Sequence, residues 1–319
     1  MKKISVVIPY FQRKSSILLK AVQSALDQQG IGELEILIVD DASPVSARSE
    51  LASIPEHQAH KIRIIEQANA GPAAARNKAL ANVSKDSEYV AFLDSDDVWI
   101  PNHLSNALAA LEQGYDFYFT DFFQLNQTVS AFNRAKRIDV NQHPKLAGRE
   151  NLHVYAGNMF DQILTGNIIG TSTVVYRYAS FPSQRFREEF VYAGEDYLFW
   201  LDLTSNTKRI AFSSLCEVTY GAGVNIFAGS GWGTEKSLIR LHYEMKYKKA
   251  IARLFELSEA QARHNDAMIR SLRKSFVADV LHRVRHRRGT DGVLAKQLRV
   301  DIQSFVYFVP LAIRVLAGR

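Results

Sequence analysis

Cysteine is almost absent from this sequence, and so are long apolar runs. A single cysteine, Cys216, in 319 residues excludes an intramolecular disulfide and any multi-cysteine metal site, which suits a reducing compartment. No uninterrupted apolar run reaches the roughly 18 residues a spanning helix requires, so none is predicted. The opening MKKISVVIPYF has two lysines but only a brief apolar run before Pro9 and Arg13. That is too short for the core of a secretion signal and reads as a first strand. Internal repeats and low-complexity tracts are also missing. What is present is apolar material, 47% of the chain, which excludes global disorder. The length fits one large domain, or a catalytic domain with an appendage.

Charge is unevenly spread. Residues 236–319 carry 18 Lys and Arg against 7 Asp and Glu, a net +11; the chain total of +6 then leaves −5 for residues 1–235. A mildly acidic body thus precedes a strongly basic tail, and such a tail points to an anionic surface, either membrane lipid or nucleic acid.

Strand and helix patterns alternate through the first 125 residues. Strands are expected at 4–8, 35–39, 62–65, 89–93 and 115–120, and helices at 16–29, 71–83 and 103–112. This alternation predicts an α/β fold with a mainly parallel sheet, in which ligands gather at the carboxyl ends of the strands. Those ends read Pro9-Tyr10-Phe11, Asp40-Asp41-Ala42-Ser43 and Asp94-Ser95-Asp96. Residues 126–150 look irregular, as an insertion or lid. A helix at 152–164, a strand at 171–177, a helix opening at Glu195 and a strand at 209–218 follow. The stretch from Gly221 to Gly233, with Trp232, reads as a loop, and helical patterns dominate from Glu235.

The most informative octamer is VAFLDSDD, residues 90–97. An apolar strand ends abruptly in Asp94, Asp96 and Asp97, and acids at one strand tip repel one another unless a cation sits between them. Oxygen-preferring cations such as Mg²⁺ or Mn²⁺ do this, and commonly bridge carboxylates to phosphate oxygens. The plainer reading is a solvated loop in which Ser95 or Asp97 caps the next helix. A calcium EF-hand fits poorly, because its glycine and later glutamate are missing.

SVVIPYFQR, EILIVDDAS, ANAGPAAARNKAL, YVAFLDSDDVWIP and AGEDYLFWLDL occur in that order. Together they resemble the inverting, GT-A-fold glycosyltransferases called family 2, over roughly residues 3–220. The resemblance implies a Rossmann-like, mainly parallel sheet flanked by helices, with the basic helical extension outside it. Residues 1–234 would form the catalytic domain, with nucleotide binding in about 1–125 and acceptor binding in about 126–234. Residues 235–319 would form the basic helical region.

The resemblance also implies roles. Asp96 would be the direct Mn²⁺ or Mg²⁺ ligand and Asp94 a second ligand, or a ribose or water-mediated contact. Asp41 would accept an N–H from a pyrimidine base, Tyr10 or Phe11 would stack on that base, and the backbone near Pro9 would hold its edge. Ser95 belongs to the same motif, and Arg76 would reach phosphate or base. Asp196 would be the general base, with Glu195 orienting the acceptor or the loop and Trp200 contacting the acceptor, and an apolar surround of Tyr197, Phe199 and Trp200 would raise the carboxyl toward working pH. Trp232 would stack on an acceptor sugar or simply pack. Taken singly, each residue has an ordinary structural reading: a turn or cap for Asp40-Asp41, a solvated helix residue for Arg76, packing for Tyr10 and Phe11, and helix N-terminal acids for Glu195-Asp196.

Two departures matter. Gln12 stands where many relatives carry Asn, and no QxxRW signature of processive synthases follows the Glu-Asp pair, which favours transfer of a single sugar. His242 is a candidate third metal ligand or a surface helix histidine. The expected partners are a nucleotide-sugar, UDP-linked by preference, and a saccharide or lipid-linked acceptor for cell-surface polysaccharide. The expected location is the cytoplasmic face of the inner membrane. In the tail, residues 270–288 and 305–317 combine cations with apolar residues, as in an interfacial anchor. A helical bundle or homo-oligomer interface is the alternative there. Nucleic acid is disfavoured, since no recognised module accompanies the charge. A sugar-nucleotide nucleotidyltransferase, or a non-catalytic nucleotide-sugar binder, remains the alternative for the whole chain.

Overall fold

In a computed structural model, residues 2–223 and 230–316 are described. Contacts divide the chain into two compact units: Met1–Glu188 with Phe199–Val224, and Glu189–Leu198 with Asn225–Arg319. This differs from a single cut at residue 234 in two respects, the first being that the later boundary falls at residue 224. The stretch 189–198, which contains Glu195 and Asp196, groups with the C-terminal helices.

The first unit is built on nine strands: β1 (Lys3–Tyr10), β2 (Glu33–Asp40), β3 (Ile62–Glu66), β4 (Ser87–Phe92), β5 (Val98–Trp99), β6 (Phe117–Phe123), β7 (Leu152–Val154), β8 (Val175–Arg177) and β9 (Ile210–Thr219). They form one sheet in the order β3-β2-β1-β4-β8-β6-β9-β5, with β7 also paired to β9. β3, β2, β1 and β4 run parallel, as do β6 and β9, while β8, β5 and β7 pair antiparallel. The sheet is thus mixed and mainly parallel, as the alternation of strands and helices predicts.

The parallel half is apolar on both faces because helices cover it. Ile4, Val6, Val7 and Ile8 of β1 and Ile36 to Val39 of β2 are fully buried. The helix Leu18–Leu26 turns Leu18, Ala21, Val22, Ala25 and Leu26 into that core. The helix Pro72–Leu80 begins with a proline in its first turn and buries Ala73, Ala74, Ala75 and Ala79. Those short side chains let its backbone lie against β1 and β2.

Two expectations are corrected. The helix anticipated over 152–164 is a strand followed by a shorter helix: Leu152–Val154 pairs with Ala211–Ser213 of β9 as β7. The helix spans only Met159–Thr165, because Asn158 caps it by accepting the N–H of Asp161 at 3.3 Å. The strand expected from Thr171 starts at Val175, since Thr171–Thr173 form a tight 3-10 turn.

The second unit contains the helices Ser237–Leu254, Glu259–Arg285, Val293–Val300, Gln303–Val306 and Phe308–Leu316. Their shared core holds Leu238, Leu241, Met245, Ile269, Leu272, Phe276 and Val280. Ser258 opens the long helix with a reciprocal capping box to Gln261. Among the described residues, no helix is long and apolar enough to cross a membrane.

Candidate active site

Parallel pairing of β1, β2 and β4 puts their carboxyl ends on one edge. Tyr10 lies opposite Asp40, and Val7 lies opposite Phe92. The chain then turns immediately after each strand, which brings Phe11, Asp41 and Asp94 to that edge.

Asp40 and Asp41 divide the work. Asp40 accepts the N–H groups of Ser43 and Ala47, both at 2.8 Å, and so fixes the turn and the short helix after β2. Asp41 accepts from Gln67 Nε2 at 2.7 Å and from the N–H groups of Ala70 and Gly71 at 2.8 and 2.9 Å. Asp41 is itself buried, and these three bonds tie it to the segment that leads into the helix Pro72–Leu80. Tyr10 is fully buried and its hydroxyl donates to the carbonyl of Val45 at 2.7 Å. It is therefore a packing residue, and of the pair expected to stack on a base only Phe11 stays partly exposed. The Arg13 guanidinium lies 6.0 Å from the Phe11 ring centroid, and Pro9 is also partly exposed.

The acidic tip is held by hydrogen bonds from three directions. Arg76, itself buried, donates to Asp94 Oδ1 at 2.6 Å while its guanidinium covers the Phe186 ring at 5.2 Å. Ser95 Oγ accepts from Gln12 Nε2 at 3.2 Å. Ser172 accepts the N–H of Asp94 at 2.9 Å and donates its hydroxyl to Asp97 Oδ2. Trp99 Nε1 fixes Ser172 in turn, by donating to its carbonyl at 2.7 Å.

A glycine segment after β9 closes over the tip. Gly221 N–H donates to Asp97 Oδ1 at 3.0 Å, and Gly223 N–H donates to Asp96 Oδ2 at 2.7 Å. A Cβ at Gly221 would sit 1.7 Å from the Asp96 carbonyl oxygen, and one at Gly223 would sit 2.5 Å from Asp96 Oδ2 and 2.6 Å from Gln12 Nε2. Only glycine lets the backbone come this near. The sequence marked these glycines as loop-formers and gave no sign of their contact with the acids. Ser172 carried no sequence signal at all.

The electrostatics follow from the crowding. Burial pushes the Asp97 carboxyl well above its usual range, and the charges of Asp94 and Asp96 add to that, against the opposing hydrogen bonds from Ser172 and Gly221. Burial and the Asp94 charge likewise raise Asp96, opposed by the Gly223 N–H. Asp94 and Asp96 are partly exposed, whereas Asp97 is buried. Two oxygen donors crowded to mutual disadvantage fit a hard divalent cation whose other ligands come from a phosphate-bearing substrate. Among the described residues no group of three or more His, Cys, Asp or Glu is arranged to hold a metal by itself. His242 sits in the second unit's core, its Nδ1 paired with Gln297 Oε1 at 2.8 Å.

Glu195 and Asp196 open the helix Glu195–Asn206, both partly exposed, and Asp196 Oδ1 accepts the N–H of Tyr197 at 2.8 Å. Gly194 precedes them with φ +97°, and a Cβ there would lie 2.6 Å from Tyr247 Cβ. Trp232 is 63% exposed, its ring edge-on to His282 at 4.7 Å. Trp200 corrects an expectation. It is fully buried, within 5.2 to 6.3 Å of the rings of Phe199, Phe117, Phe92 and Phe186, and so presents nothing to an acceptor. The apolar side of this helix, with Leu198, Phe199 and Leu201, is core.

With the strand-end acids and their supports placed, comparison with known proteins defines the class. Residues 5–179 match the family described as Glycosyl transferase family 2, and the chain belongs to that family. It is 33% identical over 235 residues to the succinoglycan biosynthesis protein ExoW of Rhizobium meliloti (strain 1021), covering 71% of each chain. The fold is similar to that of S. aureus TarS 1-349 in complex with UDP, with a TM-score of 0.56 at 18% identity over 100% of this chain and 92% of the other. It is also similar to the mannosyltransferase PcManGT of Pyrobaculum calidifontis in complex with GDP-Man and Mn²⁺, with a TM-score of 0.57 at 13% identity over 99% and 87%. The protein is a glycosyltransferase with a GT-A fold.

Proposed function

We propose that this glycosyltransferase moves a single sugar from a UDP-sugar to a hydroxyl of a saccharide or lipid-linked acceptor in bacterial cell-surface polysaccharide synthesis, with inversion at the anomeric carbon. The observation that carries the reading is the acidic tip Asp94-Ser95-Asp96, braced by Arg76 and Gln12 on the edge shared with Pro9, Phe11 and Asp41. The relative named for succinoglycan biosynthesis supports the pathway class, and the UDP bound by TarS supports the donor.

Asp96 and Asp94 would hold a Mn²⁺ or Mg²⁺ ion, which supplies charge neutralisation for the departing diphosphate. Phe11 offers its ring to the base, and Asp41, buried at the same edge, would accept a base N–H. Arg76 keeps Asp94 oriented. Asp196 takes the proton from the acceptor hydroxyl as that oxygen attacks the anomeric carbon and the bond to the diphosphate breaks. Glu195 orients the acceptor, and Trp232 offers an exposed ring to a sugar face. The reaction would take place at the cytoplasmic face of the inner membrane, a reading that the basic C-terminal region supports.

Asp196→Asn tests the base. It should retain UDP-sugar binding while transfer falls by about 10² to 10⁴. Full transfer by that variant removes Asp196 from the mechanism. Release of pyrophosphate in place of UDP would make the protein a nucleotidyltransferase.

A further inference from the structure

The C-terminal helices of the second unit leave a continuous apolar stripe uncovered. Ile302, Val306, Val309 and Ile313 are 62%, 65%, 67% and 62% exposed, and their spacing of four, three and four residues puts them along one helical line. The line is continuous because Tyr307 N–H still donates to the Gln303 carbonyl and Leu311 N–H to that of Tyr307, both at 3.0 Å, across the junction of the last two helices. The buried side of the same segment is already used: Phe305 and Phe308 pack against the core formed by Phe276 and its neighbours. The exposed stripe therefore contributes nothing visible to the stability of the unit, and its removal from water awaits something outside it.

The charge around the stripe says what that is. Lys296 and Arg299 are exposed on the helix immediately before it, and Arg285, Arg287 and Arg288 are exposed at the end of the long helix. Two acids of this region are turned inward. Asp301 is fully buried and pairs with Lys249 at 2.8 Å and Arg273 at 2.7 Å, and Asp279 is buried against Arg283 at 2.7 Å. Internal pairing thus takes these two anions off the surface, and among the described residues 285–313 the exposed charges are one acid, Asp291, against the five cations Arg285, Arg287, Arg288, Lys296 and Arg299. A second copy of this chain would set like charge against like, and a nucleic acid would answer the cations but leave the apolar row in water.

We propose that this face docks on an anionic lipid surface, with Ile302, Val306, Val309 and Ile313 entering the acyl boundary and the flanking cations contacting headgroups. The inference stands on the second unit alone and requires no donor or acceptor. The full chain should float with vesicles made of equal parts phosphatidylglycerol and phosphatidylcholine, and not with phosphatidylcholine alone. The double variant Val306→Asp, Val309→Asp, at exposed positions, should keep the parent's melting temperature and lose about ten-fold or more of the bound fraction. Lys296→Ser with Arg299→Ser should weaken binding and flatten its salt dependence. Equal flotation of parent and double variant overturns the assignment, as does no flotation at low salt. A dimer that the aspartates dissociate, without vesicle binding, would give the face to a second copy instead.

Discussion

Gly223 donates its backbone N–H to Asp96 at 2.7 Å, so the carboxylate proposed to meet the cation is already engaged by the chain leaving β9. Gly221 makes the matching contact with Asp97. The two bonds differ in consequence. Asp97 is buried and its partners, Ser172 and Gly221, are fixed protein groups. Asp96 is partly exposed and can exchange an N–H for a cation. The last acid of the motif thus holds the loop's architecture, while the one before it stays partly open to solvent.

The close approach at Gly221 should be intolerant of any side chain. A Cβ there meets the Asp96 carbonyl oxygen at 1.7 Å, and backbone cannot rotate away as a flexible side chain could. Gly221→Ala should cost about 1–3 kcal/mol in urea unfolding and weaken nucleotide-sugar affinity at the same time. Wild-type values for both would mean that the segment does not rest on the acidic tip.

Ser172→Ala removes a hydroxyl that serves two acids at once. Asp97 would lose a hydrogen-bond donor in a buried place, and the Asp94 N–H would lose its acceptor. A loss of about 1–3 kcal/mol is expected, together with a raised KM for donor, since the loop carrying Asp94 and Asp96 loosens. Calorimetry paired with donor titration checks this, and a stability loss with unchanged donor KM would make Ser172 purely structural.

Much of this was legible in the sequence, for identifiable reasons. Val90 to Leu93, with no polar residue, had to be a strand covered on both faces, and acids at its end marked the edge where ligands collect. Asp40 shows the limit: beside Asp41 in sequence, it spends both oxygens on Ser43 and Ala47, and only the folded arrangement separates the two acids. Val98–Trp99 is too short to announce itself, and it pairs with a strand more than a hundred residues later. Ser172 acts through long-range contacts, which local composition does not encode.

Trp200 offers a test of core against binding wall. Its ring lies among Phe92, Phe117, Phe186 and Phe199 with no exposed surface. Trp200→Ala should cost about 3–5 kcal/mol, and Trp200→Phe considerably less. Acceptor KM for the folded Trp200→Phe protein should match the parent. A selective rise in acceptor KM at unchanged stability would restore the residue to the acceptor site.

Acid sensitivity should arise in the second unit at Asp301. Burial by itself would raise this carboxyl, but hydrogen bonds from Arg273, Lys249 and Ser304 outweigh burial and hold it far below the usual range. Its folded pKa is therefore lower than its unfolded value of about 3.9. Between those two values the unfolded chain binds more protons, so the stabilisation is complete above the unfolded pKa and is lost as pH falls toward the folded one. Helical signal should decline as pH drops below about 4. Asp301→Asn leaves Lys249 and Arg273 without their carboxylate, which should cost about 3–5 kcal/mol at neutral pH. The variant should also show a shallower acid limb, because the group that titrates is gone. An unchanged acid limb in Asp301→Asn would assign the sensitivity to other carboxylates, and chemical denaturation followed across acid pH reads the difference directly.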